Sequence, residues 1–218
     1  MATLFPVTMV GSWSRSPELL DALRKRQAGQ LSEDEFQERA DEAVLECLRL
    51  QDESGVDIVT DGEQRRDNFY SFVVDRLDGA RLMSMRDLLE YMPDPAFFEQ
   101  VMKNSDVVPE EINNAIVVDK LSLKGPGLAV DEAAFVRQHT DKPIKVALPG
   151  PYHLTRSGWS QALSSDAYPT REDLAEDVVA LLRHEVESLR DAGVAFVQFD
   201  EPSLSEIVYS AETEGTFY

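Results

Sequence analysis

The sequence predicts an α/β protein in which parallel strands alternate with helices. Three observations predict it. A helix, a glycine turn and an apolar run follow one another in near-identical form at Asp52-Glu53-Ser54-Gly55-Val56-Asp57-Ile58-Val59 and at Leu189-Arg190-Asp191-Ala192-Gly193-Val194-Ala195-Phe196-Val197, which is the grammar of βα units. Short β-type runs alternate with helical periodicity along the chain. Polar or Gly/Pro motifs close the apolar runs, at the strand ends where open α/β sheets and barrels place their sites.

In chain order, Phe5-Pro6-Val7-Thr8-Met9-Val10 is a short strand that stops at Gly11-Ser12. Ser32 precedes the acidic turn Glu33, Asp34, Glu35 as an N-cap should, and Phe36, Ala40, Ala43, Val44, Cys47 and Leu48 recur at helical spacing. Gly55 ends that helix, and Val56 to Thr60 is the next strand, closed by Asp61-Gly62-Glu63. Residues 70–112 lack a clean period, carry four methionines and read as an inserted helical or loop excursion. Ala115 to Leu123 is the third strand, Asp131 to His139 a short helix, and Ile144 to Leu148 the fourth strand, ending in Pro149-Gly150-Pro151. Thr170 caps a long helix with Glu172 and Asp173 in its first turn, and Asp191-Ala192-Gly193 turns into a fifth strand ending in Asp200-Glu201-Pro202.

Composition narrows the function. The 218 residues, 43% hydrophobic, suit one domain with a real core. A formal charge of −20, from 41 acidic against 21 basic residues, argues against a nucleic-acid partner, because neutralising phosphates takes Lys and Arg. The 6 Lys and 15 Arg fit either a high-salt cytoplasm or an acidic part of a more balanced protein. Cys47 is the single cysteine, so no intrachain disulfide forms. The N-terminus lacks the basic start and long apolar core of a signal peptide, and no segment has the apolar length of a membrane span. A cytoplasmic protein without a membrane partner is therefore expected. No Gly-x-Gly-x-x-Gly follows the first strand and no Walker-type Gly-Lys-Ser is present, which removes the main support for a nucleotide site.

Two carboxylates closing a buried strand at Asp200-Glu201-Pro202 are costly to bury without function. Together with Thr8-Met9-Val10-Gly11-Ser12-Trp13, Thr60-Asp61-Gly62-Glu63-Gln64-Arg65-Arg66 and Leu148-Pro149-Gly150-Pro151, the Gln198-Phe199-Asp200-Glu201-Pro202 motif resembles, in order and spacing, the catalytic domain of cobalamin-independent methionine synthase. Its stand-alone relatives, which include epoxyalkane:coenzyme M transferase-like proteins, are the nearer resemblance. The resemblance implies a (β/α)8 TIM barrel, a zinc ion that activates a thiol, and methyl transfer to homocysteine or a similar small-molecule thiol from a methyl donor such as a methyltetrahydropteroyl compound.

Residue by residue, Val10, Gly11 and Ser12 match the family's contacts to the substrate carboxylate. Glu63 and Asp200, the candidate catalytic residues, match the acids that bind the substrate ammonium, and Glu206 matches a further acid near the ligand. Each has a plainer reading: a strand-to-helix turn capped by Ser12, structural acids bonded to Arg65, Arg66 or backbone amides, and an exposed loop acid at Glu206. Glu201 is expected to align its loop. The family's zinc ligands, a His-x-Cys pair, a Glu and a further Cys, have no counterpart here, so no metal ligand is assigned in this chain. Cys47 reads as a small core residue, His139 as a helix C-terminal residue, His184 as exposed, and His153 as the one histidine just after a strand-end motif.

Folate-binding members carry a tryptophan where this chain has Ser157, with Trp159 two residues later, which weakens folate as the donor. A sulfonate substrate such as coenzyme M prefers Arg or Lys to the acids Glu63 and Asp200, which favours an amino-thiol. Eight βα units occupy about 250 residues, so the chain is expected to be one incomplete barrel domain with about five of eight strands. On that reading the full-length parent is the methyltransferase and this chain alone is inactive. The alternatives are a thiol alkyltransferase of the epoxyalkane type, a non-catalytic binding or assembly module that completes its sheet with a second chain, and a decarboxylase-like barrel without zinc.

Overall fold

Short polar side chains start the three longest described helices of this protein, and glycines follow two of them. The computed structural model describes residues 4–92, 95–96 and 113–204. Helix α1 (Pro17–Gln27) begins at Ser16, whose hydroxyl accepts from the Leu19 amide, with proline in the first turn. Helix α2 (Glu33–Glu53) begins with a capping box, the Ser32 hydroxyl taking the Glu35 amide while the Glu35 carboxylate takes the Ser32 amide. Gly55, at φ 75°, follows α2 in the left-handed region that glycine enters without penalty. Leu19, Ala22 and Leu23 of α1 pack on Phe36 and Ala40 of α2.

The chain divides into two compact units. The first comprises Met1–Phe69, Pro126–Leu148 and Glu185–Gln198. In it the expected strands neighbour one another in chain order: Thr8 bridges Ile58 and Val59 bridges Ile144, both parallel, and the Ala195 and Phe196 amides donate to the Ile144 carbonyl. The runs 5–10 and 56–60 make single bridges rather than full strands, and side chains are the reason. Asp57 takes the Val7 amide with its own carboxylate at 2.8 Å, and the Gln51 amide group takes both the N–H and the C=O of Thr60. Helix α5 (Val130–Arg137) also belongs here, preceded in the chain by the helices α3 and α4 described below.

The second unit comprises Tyr70–Gly125, Pro149–His184 and Phe199–Tyr218. The 70–112 stretch holds more than helix and loop: α3 (Val73–Arg76) leads into strand β1 (Leu77–Ser84), followed by α4 (Met85–Leu88) and a short 3-10 turn. Strand β2 (Asn113–Leu123) pairs antiparallel with β1, Leu77 opposite Leu123 and Ser84 opposite Asn113, with a bulge at Gly79. The expected third parallel strand is thus half of a hairpin. One strand's alternation cannot reveal its partner's direction, and β1 has too irregular a burial pattern to announce itself. Helices α6 (Pro151–Gly158) and α7 (Gln161–Ser164) pack on β2, Gly158 approaching the Ala115 carbonyl at 3.3 Å and the Ser164 hydroxyl donating to Val117 O.

Strand β3 (Lys145–Pro149) is buried throughout and pairs with β4 (Phe196–Asp200). Helix α8 (Arg171–Asp191) starts with reciprocal bonds between Thr170 and Asp173, and ends before Gly193 at φ 79°. Among the described residues there are four strands in two two-stranded sheets, not five, and a closed barrel is not seen. No described helix is long and apolar enough to cross a membrane.

Candidate active site

In the first unit the Val10-Gly11-Ser12 turn and the Asp61-Gly62-Glu63 turn are laced together. The Ser12 hydroxyl donates to Glu63 Oε2 at 2.7 Å, the Trp13 amide to Gly62 O at 2.9 Å, and the Arg15 guanidinium to Glu63 O at 2.8 Å. Gln64 Nε2 bonds the carbonyls of both Trp13 and Gly62. Glu63 is 3% exposed and sits at φ 55°, a left-handed conformation that costs a non-glycine residue about 1 kcal/mol or more. Gly11 lets the acid come close: a Cβ there would lie 2.5 Å from Glu63 Oε1, so the carboxylate would have to move. Val10 stands 81% exposed beside this buried acid.

Several buried polar groups hold the acid's loop. Gln51 grips Thr60 at both backbone groups, Gly62 N donates to Thr60 Oγ1, and the Glu63 amide donates to Asp61 Oδ1. Enclosed, and facing Glu132, Asp61 has its pKa pushed up to about 6 against the pull of Arg66. Asp61 Oδ2 is buried without a hydrogen-bond partner. Arg66 donates to Glu132 Oε2 from Nε at 3.0 Å and Nη2 at 2.7 Å, and to Ala147 O from Nη1 at 2.7 Å. Glu185 accepts from the Leu128 and Ala129 amides at the start of α5, and burial raises its pKa.

The second unit has its own strand-end carboxylate. Glu201 accepts from the Tyr152 and His153 amides, both at 2.8 Å, and so caps α6, which has no N-cap side chain of its own. Gly150 is needed because a Cβ would collide with Glu201. Asp200 is half-buried, and its carbonyl accepts from the Gly150 amide at 2.9 Å. His153 Nδ1 meets Ser203 Oγ at 3.0 Å, the Tyr70 ring lies edge-on to the imidazole at 4.8 Å, and burial lowers the His153 pKa with Arg156 adding to the effect.

The chain matches the family described as "Cobalamin-independent synthase, Catalytic domain" over residues 5–218. It belongs to the cobalamin-independent methionine synthase family. It is 31% identical over 203 residues to a methionine synthase of Sulfurisphaera tokodaii, covering 92% of this chain and 53% of that one. The methionine synthase of Sulfolobus acidocaldarius is 28% identical over 204 residues, with coverage of 93% and 53%. Among solved structures, the B12-independent methionine synthase from Shewanella sp. W3-18-1 in complex with selenomethionine aligns at TM-score 0.68 and 25% identity, over 98% of this chain and 56% of that one. The chain spans about half the length of the curated relatives it matches.

The four motifs that carry the family resemblance lie where strands end, and the structure brings Gly11, Ser12 and Glu63 into contact. Arg65 turns to Gln37 and Asp41 and Arg66 bonds Glu132, while the Glu63 carboxylate accepts from Ser12 beside Gly11, within the field of Arg15 and Arg66. Glu206 lies outside the described residues. The zinc that the resemblance implies finds no donor set here: among the described residues no three His, Cys, Asp or Glu side chains are grouped to hold a metal. Cys47 is buried against Gln51 and Gly62 with its thiol pushed up to about 11 by burial, the opposite of a ligand thiolate. His139 bonds Phe135 O at the end of α5, and His184 is exposed. Sequence reasoning missed Gln51, Arg15, Ser203 and Lys145. The available signals were a glutamine on an apolar helix face and a lysine opening a buried strand.

Proposed function

We propose that this chain carries the amino-acid-binding part of a thiol S-methyltransferase whose acceptor is homocysteine or a similar amino-thiol and whose methyl donor is a separate small molecule. One observation carries the reading: a buried Glu63, strained into place against the buried Gly11, adjoins a rim on which Val10 and Ser12 are exposed. A carboxylate beside backbone N–H donors is what an α-amino acid, with its ammonium and carboxylate, calls for. Glu63 takes the ammonium, and the Val10, Gly11 and Ser12 backbone amides take the carboxylate. Asp200 and Glu206 are given substrate-binding roles by the resemblance. The selenomethionine held by the Shewanella relative supports an amino-acid ligand of this kind.

These residues bind and orient; thiol activation is not assigned to them. Among the described residues no three His, Cys, Asp or Glu side chains are grouped to hold a zinc ion. Trp159, the nearest aromatic to a pterin platform position, commits its indole N–H to Tyr168 O, and Arg171 lies over its ring at 5.5 Å. Calorimetric titration of the chain with L-homocysteine, L-methionine and coenzyme M tests the reading. The amino acids are expected to bind more tightly than the sulfonate, and Glu63→Gln to weaken them by about 10-fold or more, the worth of a charge-assisted hydrogen bond. A preference for coenzyme M, or unchanged binding in Glu63→Gln, rejects it.

A further inference from the structure

Lysine is rarely buried, and its ammonium must then be surrounded by acceptors. Lys145 opens β3, the one wholly buried strand among the described residues, and is itself 6% exposed. Its Nζ donates to the carbonyl of Met9, to the carbonyl of Val10 at 3.0 Å and to Gln198 Oε1 at 2.8 Å. Gln198 in turn donates from Nε2 to the same Val10 carbonyl at 2.8 Å. Both lone pairs of Val10 O are therefore taken, one by an ammonium and one by an amide that the ammonium also orients.

A trans peptide points its C=O and N–H in opposite directions. Pinning the Met9 and Val10 carbonyls on Lys145 therefore aims the Val10 and Gly11 N–H groups away from it. A cation on the carbonyl also polarises the peptide and strengthens the N–H as a donor. We propose that Lys145, held with Gln198, is the positioning residue that turns the Val10-Gly11 amides toward the carboxylate of the substrate and so selects carboxylate-bearing thiols. This rests on the amino-acid reading above. Glu63 governs the ammonium end; Lys145 governs the carboxylate end without touching the ligand.

The test compares L-methionine with 3-(methylsulfanyl)propan-1-amine, which keeps the thioether and ammonium but has no carboxylate. Calorimetry is run on the full chain, wild type and variants. Wild type is expected to prefer methionine by about 10-fold or more, the worth of one or two hydrogen bonds to a charged group. Lys145→Met brings that ratio to about one while leaving the amine's affinity within about twofold, and Gln198→Met lowers the ratio by about threefold. Glu63→Gln weakens both ligands alike. A folded Lys145→Met, judged by circular dichroism and melting, that keeps the wild-type ratio overturns the proposal, as does one that loses both ligands in proportion. If Lys145→Met does not fold, Gln198→Met decides, and an unchanged ratio there overturns it. Wild type binding neither ligand rejects the amino-acid reading itself, and the role of Lys145 falls with it.

Discussion

Glu63 and Glu201 both stand just beyond an apolar run, one in each unit, and the protein uses them in opposite ways. Glu201 commits both oxygens to backbone amides, Oε1 to Tyr152 and Oε2 to His153, and so replaces the missing N-cap of α6. Glu63 gives one oxygen to a hydroxyl, sets the other against a glycine, and is held in a conformation its residue type disfavours. A carboxylate with an amide on each oxygen is held in place by the helix start that it caps. One kept under strain beside an exposed rim retains a charge that a substrate cation can take up.

Four variants test that contrast, the largest effect first. The Glu63 loop depends on the buried Arg66–Glu132 pair, so Arg66→Met, which strands Glu132, is expected to cost about 3–5 kcal/mol in urea denaturation. A loss under about 1 kcal/mol would mean the loop stands without the pair. Asp61 comes next. Its raised pKa makes the folded state favour the protonated form, so this contribution is complete below the ordinary carboxylate range and is lost as pH rises through about 6. Asp61→Asn keeps the Oδ1 acceptor for the Glu63 amide and removes the titration. Its stability relative to wild type should therefore rise by about 2.4 kcal/mol between pH 4 and pH 7. Parallel curves for the two proteins over that range would exclude a strained Asp61.

Glu201→Ala leaves two helix N-terminal amides unmet, an expected loss of about 2 kcal/mol with faster hydrogen exchange at Tyr152 and His153. Slow exchange retained at both amides would remove Glu201 as the cap. Glu63→Gln should change stability by less than about 1 kcal/mol, because Gln can still accept from Ser12, while amino-acid binding falls as described above. If Glu63→Gln unfolds the chain while Glu201→Ala is neutral, the two carboxylates have the reverse assignments.

The helices were legible because their signals are local. Ser32 with Glu35 and Thr170 with Asp173 close within one turn, and Gly55 and Gly193 sit where a helix must reverse. Glu201 was expected to align its own loop, whereas its observed bonds are to the Tyr152 and His153 amides at the start of α6. The strands were less legible than the helices. The 115–123 run has the right composition, but its partner at 77–84 is irregular in burial, so a hairpin read as one parallel strand beside an excursion. In the site, Gly11, Ser12 and Glu63 were visible as motif residues, whereas Gln51 and Lys145 were not. Each is a lone polar residue in an apolar context, whose meaning lies in carbonyls 9 and about 135 residues away.

By itself the sequence determined the βα grammar, the helix ends, the acidic surface and the family, because these follow from spacing within a few residues or from motifs in order. Tertiary structure alone decided which carboxylate caps a helix and which is set between Ser12 and Gly11. Contacts distant in sequence also decided that Arg66 goes to Glu132 rather than Glu63, and that a buried ammonium turns two peptides at the rim. The physical reason is that a buried polar group is defined by its partners, and only the folded chain supplies them.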